Sequence, residues 1–281
     1  MKIISYLQLI RFNKPTGTLL LFLPCLFAIS LIKKIDFLQE SKLITLFFLG
    51  SLLMRSAGCI INDIMDYKFD RKISRTSNRP IANGKISKKR AMFLLVILLF
   101  ISFLILLQFN KYTILSGFFI ISFIAIYPLM KRITYYPQIF LGITINFGVV
   151  MASLALDHVI SYDICLLYLI CILWTIFYDT VYAFQDIEGD LSAGVKSMAL
   201  KLQKSPKSFF LTLAIIMAAM LFYLGYLNNF SSIFFVITAI NFLIIINKIK
   251  KCDYKNPQNC LKLFNYNIIF GLIMLLSLIF S

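Results

Sequence analysis

Long runs of Leu, Ile, Phe and Val alternate along this chain with short polar breaks. The runs fall at roughly 16–32, 43–61, 91–108, 112–130, 138–156, 163–178, 209–227, 231–247 and 263–280. Each has about the length a helix needs to cross a bilayer core, roughly 17–25 residues. The weakest break is LLQFNKYTIL, Leu106 to Leu115; without it, one helix would have to be about twice the spanning length. The pattern predicts an all-α polytopic membrane protein with nine transmembrane helices, forming a single domain over residues 1–281.

Composition supports that reading. Hydrophobic residues make up 60% of the chain and charged residues 14%, against about 45–50% and about 25% in soluble domains. No secretory signal is expected, because Arg11, Asn13, Lys14 and Pro15 interrupt the first apolar stretch and no small-residue cleavage site follows. With the N-terminus placed in the cytoplasm, the cytoplasmic segments carry 23 Lys and Arg and the outer loops carry 4. Such a bias is what the positive-inside rule requires. It accounts for the net charge of +16 through topology and anionic lipid, with no nucleic acid implied. The bilayer is the expected environment, probed from its cytoplasmic face, and no protein partner is indicated. The six cysteines form no C-x-x-C, and the single histidine, His158, falls in an outer loop. A zinc site or a Ser-His-Asp triad is therefore not expected.

The twelve acidic residues are unevenly placed. Asp63, Asp66 and Asp70 follow the second span, and Asp179, Asp186, Glu188 and Asp190 follow the sixth. The pair Asp66/Asp70 recurs 120 residues later as Asp186/Asp190. This suggests a parallel duplication, spans one to four matching five to eight. Residues three or four apart share a helix face, so Asp63, Asp66 and Asp70 form one stripe, continued by Cys59 and Arg55. Asp179, Tyr182, Asp186 and Asp190 form a second. Carboxylates stacked in this way repel one another unless a cation lies between them. Mg²⁺ suits them, because it takes oxygen ligands and is commonly shared with substrate phosphates. Solvated charge at a span end is the ordinary reading of a single Asp; two regularly spaced clusters at equivalent places speak against it.

The residues also carry a resemblance. NDIMDYKFD (62–70) and DTVYAFQDIEGD (179–190) resemble the two aspartate motifs of the UbiA superfamily of intramembrane prenyltransferases. RTSNRPIANGKIS (75–87) is similar to the segment that follows the first motif there. YPLMKRITYYPQIFLG and RFNKPTGTLLLFLP look like segments of superfamily members that prenylate 4-hydroxybenzoate, although Asn13 stands where an acidic residue is expected. The resemblance covers about residues 11–200 and implies an integral membrane enzyme, in a bacterial inner membrane. It would transfer a polyprenyl group from polyprenyl diphosphate to 4-hydroxybenzoate in ubiquinone biosynthesis, with Mg²⁺ as cofactor.

The implied roles are these. Asp63, Asp66 and Asp70 would hold one Mg²⁺, with Asn62 orienting a ligand or water. Asp186 and Asp190 would hold the other, supported by Asp179, and both would face a central cavity open to the cytoplasm. Arg71, Lys72, Arg75 and Arg79 would offer phosphate further partners, though a basic cytoplasmic loop is required for topology in any case. Lys131 and Arg132 would meet diphosphate or the benzoate carboxylate, or serve topology alone. Arginine inside a span is costly, so Arg55 would bind a substrate anion or pair with an aspartate. Tyr182 would face the allyl cation, hydrogen-bond substrate, or simply pack. The spans' asparagines, Asn146, Asn265 and Asn267, would bind helices together. Segments 71–90 and 191–207 would cap the cavity, partly as helix, with a turn at Asn83-Gly84 and Ser87 as N-cap of the third span. Other acceptors, such as another quinone precursor or haem, and a transporter of different class are the competing readings.

Overall fold

Residues 2–32, 36–71, 76–157, 159–185, 187, 189, 194 and 196–281 are described by a computed structural model of the chain. Among them there is no strand. The helices are α1 (Lys2–Leu9), α2 (Thr16–Ile32), α3 (Phe37–Met65), α4 (Tyr67–Asp70), α5 (Lys88–Leu106), α6 (Lys111–Ile133) and α7 (Pro137–Ile145). They continue as α8 (Gly148–Leu156), α9 (Tyr162–Ala183), α10 (Met198–Leu202), α11 (Pro206–Leu227), α12 (Ser232–Lys251) and α13 (Pro257–Ile279).

Local sequence explains where they start. Ser87, Asn110, Ser161, Ser231 and Asn256 each accept a hydrogen bond from a backbone N–H of the first turn that follows. Such caps satisfy donors that have no partner inside the helix. The expected cap at Ser87 is among them, accepting from the N–H of Arg90 at 3.4 Å. Pro137, Pro206 and Pro257 open α7, α11 and α13, where a missing N–H costs nothing.

Among the described residues, seven stretches are long and apolar enough to cross a membrane, counting 137–156 as one; α2 (Thr16–Ile32) is a shorter apolar helix, and the 111–124 part of α6 is apolar as well. All nine predicted runs are thus helical, but the fifth is broken. Its chain turns at Asn146, whose Nδ2 donates to the Gly142 carbonyl at 2.8 Å and to Thr175 Oγ1 of α9 at 2.7 Å. Asn146 therefore binds helices together as expected, and it also ends α7. A short N-terminal helix, α1, was not anticipated.

The centre is α9. Its span is 61% buried, against 17% for α5 at the periphery. Trp174 of α9 is buried among Phe27 of α2 and Phe270 of α13, at 5.9 and 6.0 Å between ring centroids. Its Nε1 donates to Asn267 Oδ1 at 2.9 Å. Gly271 permits this approach, because a Cβ there would lie 2.6 Å from the Trp174 ring and 2.8 Å from Leu23. Gly271→Ala should overpack the rigid indole and destabilise the protein by about 1–3 kcal/mol. Thermal unfolding in detergent would read this as a lowered midpoint; an unchanged midpoint would contradict the packing described.

Candidate active site

The first acidic stripe does not run along one continuous helix. α3 ends at Met65, Asp66 adopts φ −89°, ψ 5°, and the chain resumes as the single turn of α4. The bend separates the three carboxylates by environment. Asp63 and Asp70 are buried and Asp66 is half-exposed.

Two arginines neutralise the buried pair. Arg79 Nη1 donates to Asp63 Oδ1 at 3.2 Å and to Asp70 Oδ2 and Oδ1 at 2.9 and 3.1 Å. Arg11 Nη2 donates to both Asp63 oxygens at 2.7 and 3.0 Å. Burial pushes the Asp70 carboxyl above its ordinary value, and the charge and hydrogen bonds of Arg79 pull it back. Arg79 bridges the two carboxylates, because two buried anions side by side need a cation between them. The sequence marks Arg11 as a cytoplasmic basic residue that opens the RFNKPTGTLLLFLP segment, with no partner indicated. Arg11 sits at φ 58°, a left-handed conformation that costs a non-glycine residue roughly 1–2 kcal/mol. Both of its bonds to Asp63 come from one nitrogen, Nη2, while Nη1 donates to the Gln8 carbonyl at 2.9 Å.

The segment after the gap in the described residues is folded onto this cluster. Thr76 Oγ1 donates to the Asp70 carbonyl at 3.1 Å, and the Ile86 N–H donates to the Pro80 carbonyl at 2.9 Å. Ile81, Ala82 and Ile86 are buried beneath the turn. The expected Asn83-Gly84 turn forms, with Gly84 at φ 78° and Asn83 Oδ1 accepting from the Lys85 N–H at 3.0 Å. Only glycine takes that backbone conformation without strain.

The other candidates lie as follows. Arg132 is exposed, with its guanidinium carbon 5.9 Å from the centroid of Phe69, which brings the end of α6 beside the first motif. Arg71 donates to the Tyr67 hydroxyl at 3.0 Å. Asn62 is half-exposed, and its carbonyl accepts from the Asp66 N–H at 2.8 Å. Arg55 is half-buried against Gly17 of α2, where a Cβ would stand 2.4 Å from its Nε. Asp179 is half-buried near the end of α9, next to the buried Tyr178. Tyr182 packs against Phe264, with ring centroids 4.8 Å apart. Lys72, Arg75, Asp186, Glu188 and Asp190, the side chain of Lys131, and His158 lie outside the described residues.

Among the described residues, no group of three or more His, Cys, Asp and Glu side chains is arranged to hold a metal ion. Asp63 and Asp70 offer carboxylate oxygen, the donor type that Mg²⁺ takes; in this structure those oxygens are paired with Arg79 and, at Asp63, also with Arg11.

Comparison with known proteins is consistent across sequence and fold. The UbiA prenyltransferase family matches residues 21–277. The chain is 37% identical over 280 residues to a 4-hydroxybenzoate octaprenyltransferase of Histophilus somni (strain 2336), covering 100% of this chain and 97% of that protein. Its fold is similar to the apo structure of a UbiA homologue from Aeropyrum pernix K1, with TM-score 0.75 and 25% identity, covering 93% of this chain and 96% of that one. It is also similar to a UbiA homologue from Archaeoglobus fulgidus bound to DMAPP and Mg²⁺, with TM-score 0.68 and 16% identity, covering 96% and 99%.

Proposed function

We propose a function from this premise: the chain belongs to the UbiA prenyltransferase family, and it transfers a polyprenyl group from polyprenyl diphosphate to 4-hydroxybenzoate. The allylic carbon–oxygen bond breaks, a carbon–carbon bond forms ortho to the ring hydroxyl, and the ring proton is lost with release of diphosphate. The product is a precursor of ubiquinone. The observation that carries the reading is the buried Asp63–Arg79–Asp70 cluster, flanked by Arg11, at the end of apolar helices. It places anion- and cation-binding groups together beside a membrane, where a substrate with a charged head and a long apolar tail can be held.

Asp63, Asp66 and Asp70 would hold one Mg²⁺, and Asp186 and Asp190, with Asp179 in support, the other. Bound Mg²⁺ would supply Lewis-acid neutralisation of the departing diphosphate. The chain's own cations add to this. Arg79 exchanges a carboxylate for a phosphate oxygen, and Arg71 and Arg75 lie close in sequence to do the same. Such charge-assisted bonds strengthen as charge develops on the leaving group. The surrounding apolar helices exclude water from the allyl cation. The N-terminus and the site face the cytoplasm in this arrangement, within a bacterial inner membrane.

Arg132, beside Phe69, is assigned to the benzoate carboxylate. Arg132→Ala should raise the KM for 4-hydroxybenzoate roughly tenfold, the value of one charge-assisted hydrogen bond, with little change in the KM for the prenyl donor. Steady-state kinetics with each substrate varied would check it. A defect confined to the donor would move Arg132 to the diphosphate, and no defect would leave it to topology.

A further inference from the structure

On the outer side of α5 is a furrow that the reaction does not use. It is a cavity of about 430 Å³ lined by Tyr6 of α1 and by Lys89, Arg90, Phe93, Leu94 and Ile97 of α5. Its lining is divided by chemistry. Lys89 and Arg90 occupy the first turn of α5, and the apolar side chains follow one to two turns deeper. Phe93 is 69% exposed and Ile97 38% exposed. The opposite side of α5, with Ala91, Leu95 and Leu98, is buried in the core.

The first turn of α5 reads Lys88-Lys89-Arg90 and contains no acidic residue. Cations at the positive end of a helix dipole are unfavourable, and an anion there is favourable. Lys88 lies over the Tyr67 ring, 4.1 Å from its centroid, whereas the side chains of Lys89 and Arg90 make no hydrogen bond or ion pair among the described residues. Alongside, α1 exposes Ile3, Ile4 and Leu7, the pattern of a helix lying in a membrane interface. A pair of cations beside an exposed apolar trough matches an amphiphile with a phosphate head and an acyl tail.

We propose that this furrow binds an anionic phospholipid, its phosphate on Lys89 and Arg90 and an acyl chain along Phe93 and Ile97. Bound there, the lipid also ties α1, and with it Arg11, to α5. The site shares no lining residue with the Asp63–Arg79–Asp70 cluster, so this inference stands apart from the proposed reaction.

The test is native mass spectrometry of the detergent-purified full chain, titrated with phosphatidylglycerol, phosphatidylcholine or inorganic phosphate. Retention of phosphatidylglycerol over phosphatidylcholine is expected. The double variant K89Q/R90Q should bind phosphatidylglycerol roughly tenfold to thirtyfold more weakly, at about 1 kcal/mol per basic residue near an anionic surface. The control K250Q/K251Q, equal in charge change and also exposed, should bind as the unaltered chain does. F93S should weaken lipid binding without creating a preference for inorganic phosphate. Equal binding by K89Q/R90Q and K250Q/K251Q would overturn the proposal. So would displacement of the lipid by inorganic phosphate at equal concentration, or by a prenyl diphosphate with a Lys89/Arg90-dependent preference over phosphatidylglycerol.

Discussion

Asp66→Asn should reduce prenyl transfer by roughly a hundredfold to a thousandfold, the scale of losing one charge-stabilising element of a preorganised site, while leaving the fold intact. Asp66 is half-exposed at the bend between α3 and α4, and its carboxylate makes no hydrogen bond or ion pair among the described residues. Its backbone N–H, which donates to the Asn62 carbonyl at 2.8 Å, survives the change. Removal of the charge therefore tests chemistry with little architectural cost. Thermal unfolding and membrane yield should match the unaltered chain, and turnover at saturating Mg²⁺ should not. Near-normal turnover at matched protein level would refute the role given to this carboxylate.

The second large effect is structural. Arg79→Ala leaves Asp63 with Arg11 alone and Asp70 with no cationic partner among the described residues. Removing one member of a buried ion pair costs about 3–5 kcal/mol, because the other charge stays buried. Arg79 is itself a quarter exposed, so the lower end of that range is expected, together with loss of transfer. The double variant Arg79→Ala/Asp70→Asn should recover much of the stability, since the unpaired charge is gone, and none of the activity. Urea unfolding and transfer assays on the two variants would separate these effects. Additive destabilisation in the double variant would show that Arg79 does not act through Asp70.

Much of this was legible from the pattern of residues. Eight apolar runs appear as single helices and the fifth as two, because a backbone in the bilayer must satisfy its own hydrogen bonds. The caps at Ser87 and the turn at Asn83-Gly84 follow from local chemistry, which does not depend on the rest of the chain. The interruption of the fifth run was not legible: Asn146 breaks it only by reaching Thr175, 29 residues away and on another helix. Arg11 escaped for the same reason. Its partner Asp63 is 52 residues distant, and a basic residue before the first span already had a topological explanation. Asn241, whose Nδ2 donates to the Phe270 carbonyl at 3.0 Å, is a third such case. The spacing puts the acidic stripe on one helical face, whereas the chain bends at Asp66 and Asp70 is held by Arg79 from nine residues further on. The transporter reading falls with membership of a prenyltransferase family.

Purified protein in lipid nanodiscs would be given polyprenyl diphosphate, ring-labelled 4-hydroxybenzoate and Mg²⁺, and the product examined by mass spectrometry and NMR. The expected result is 4-hydroxybenzoate prenylated at the carbon ortho to its hydroxyl, with one diphosphate released per product, abolished by chelator and restored by added Mg²⁺. Absence of that product from active protein, or its formation undiminished in chelator, would contradict the proposed transfer.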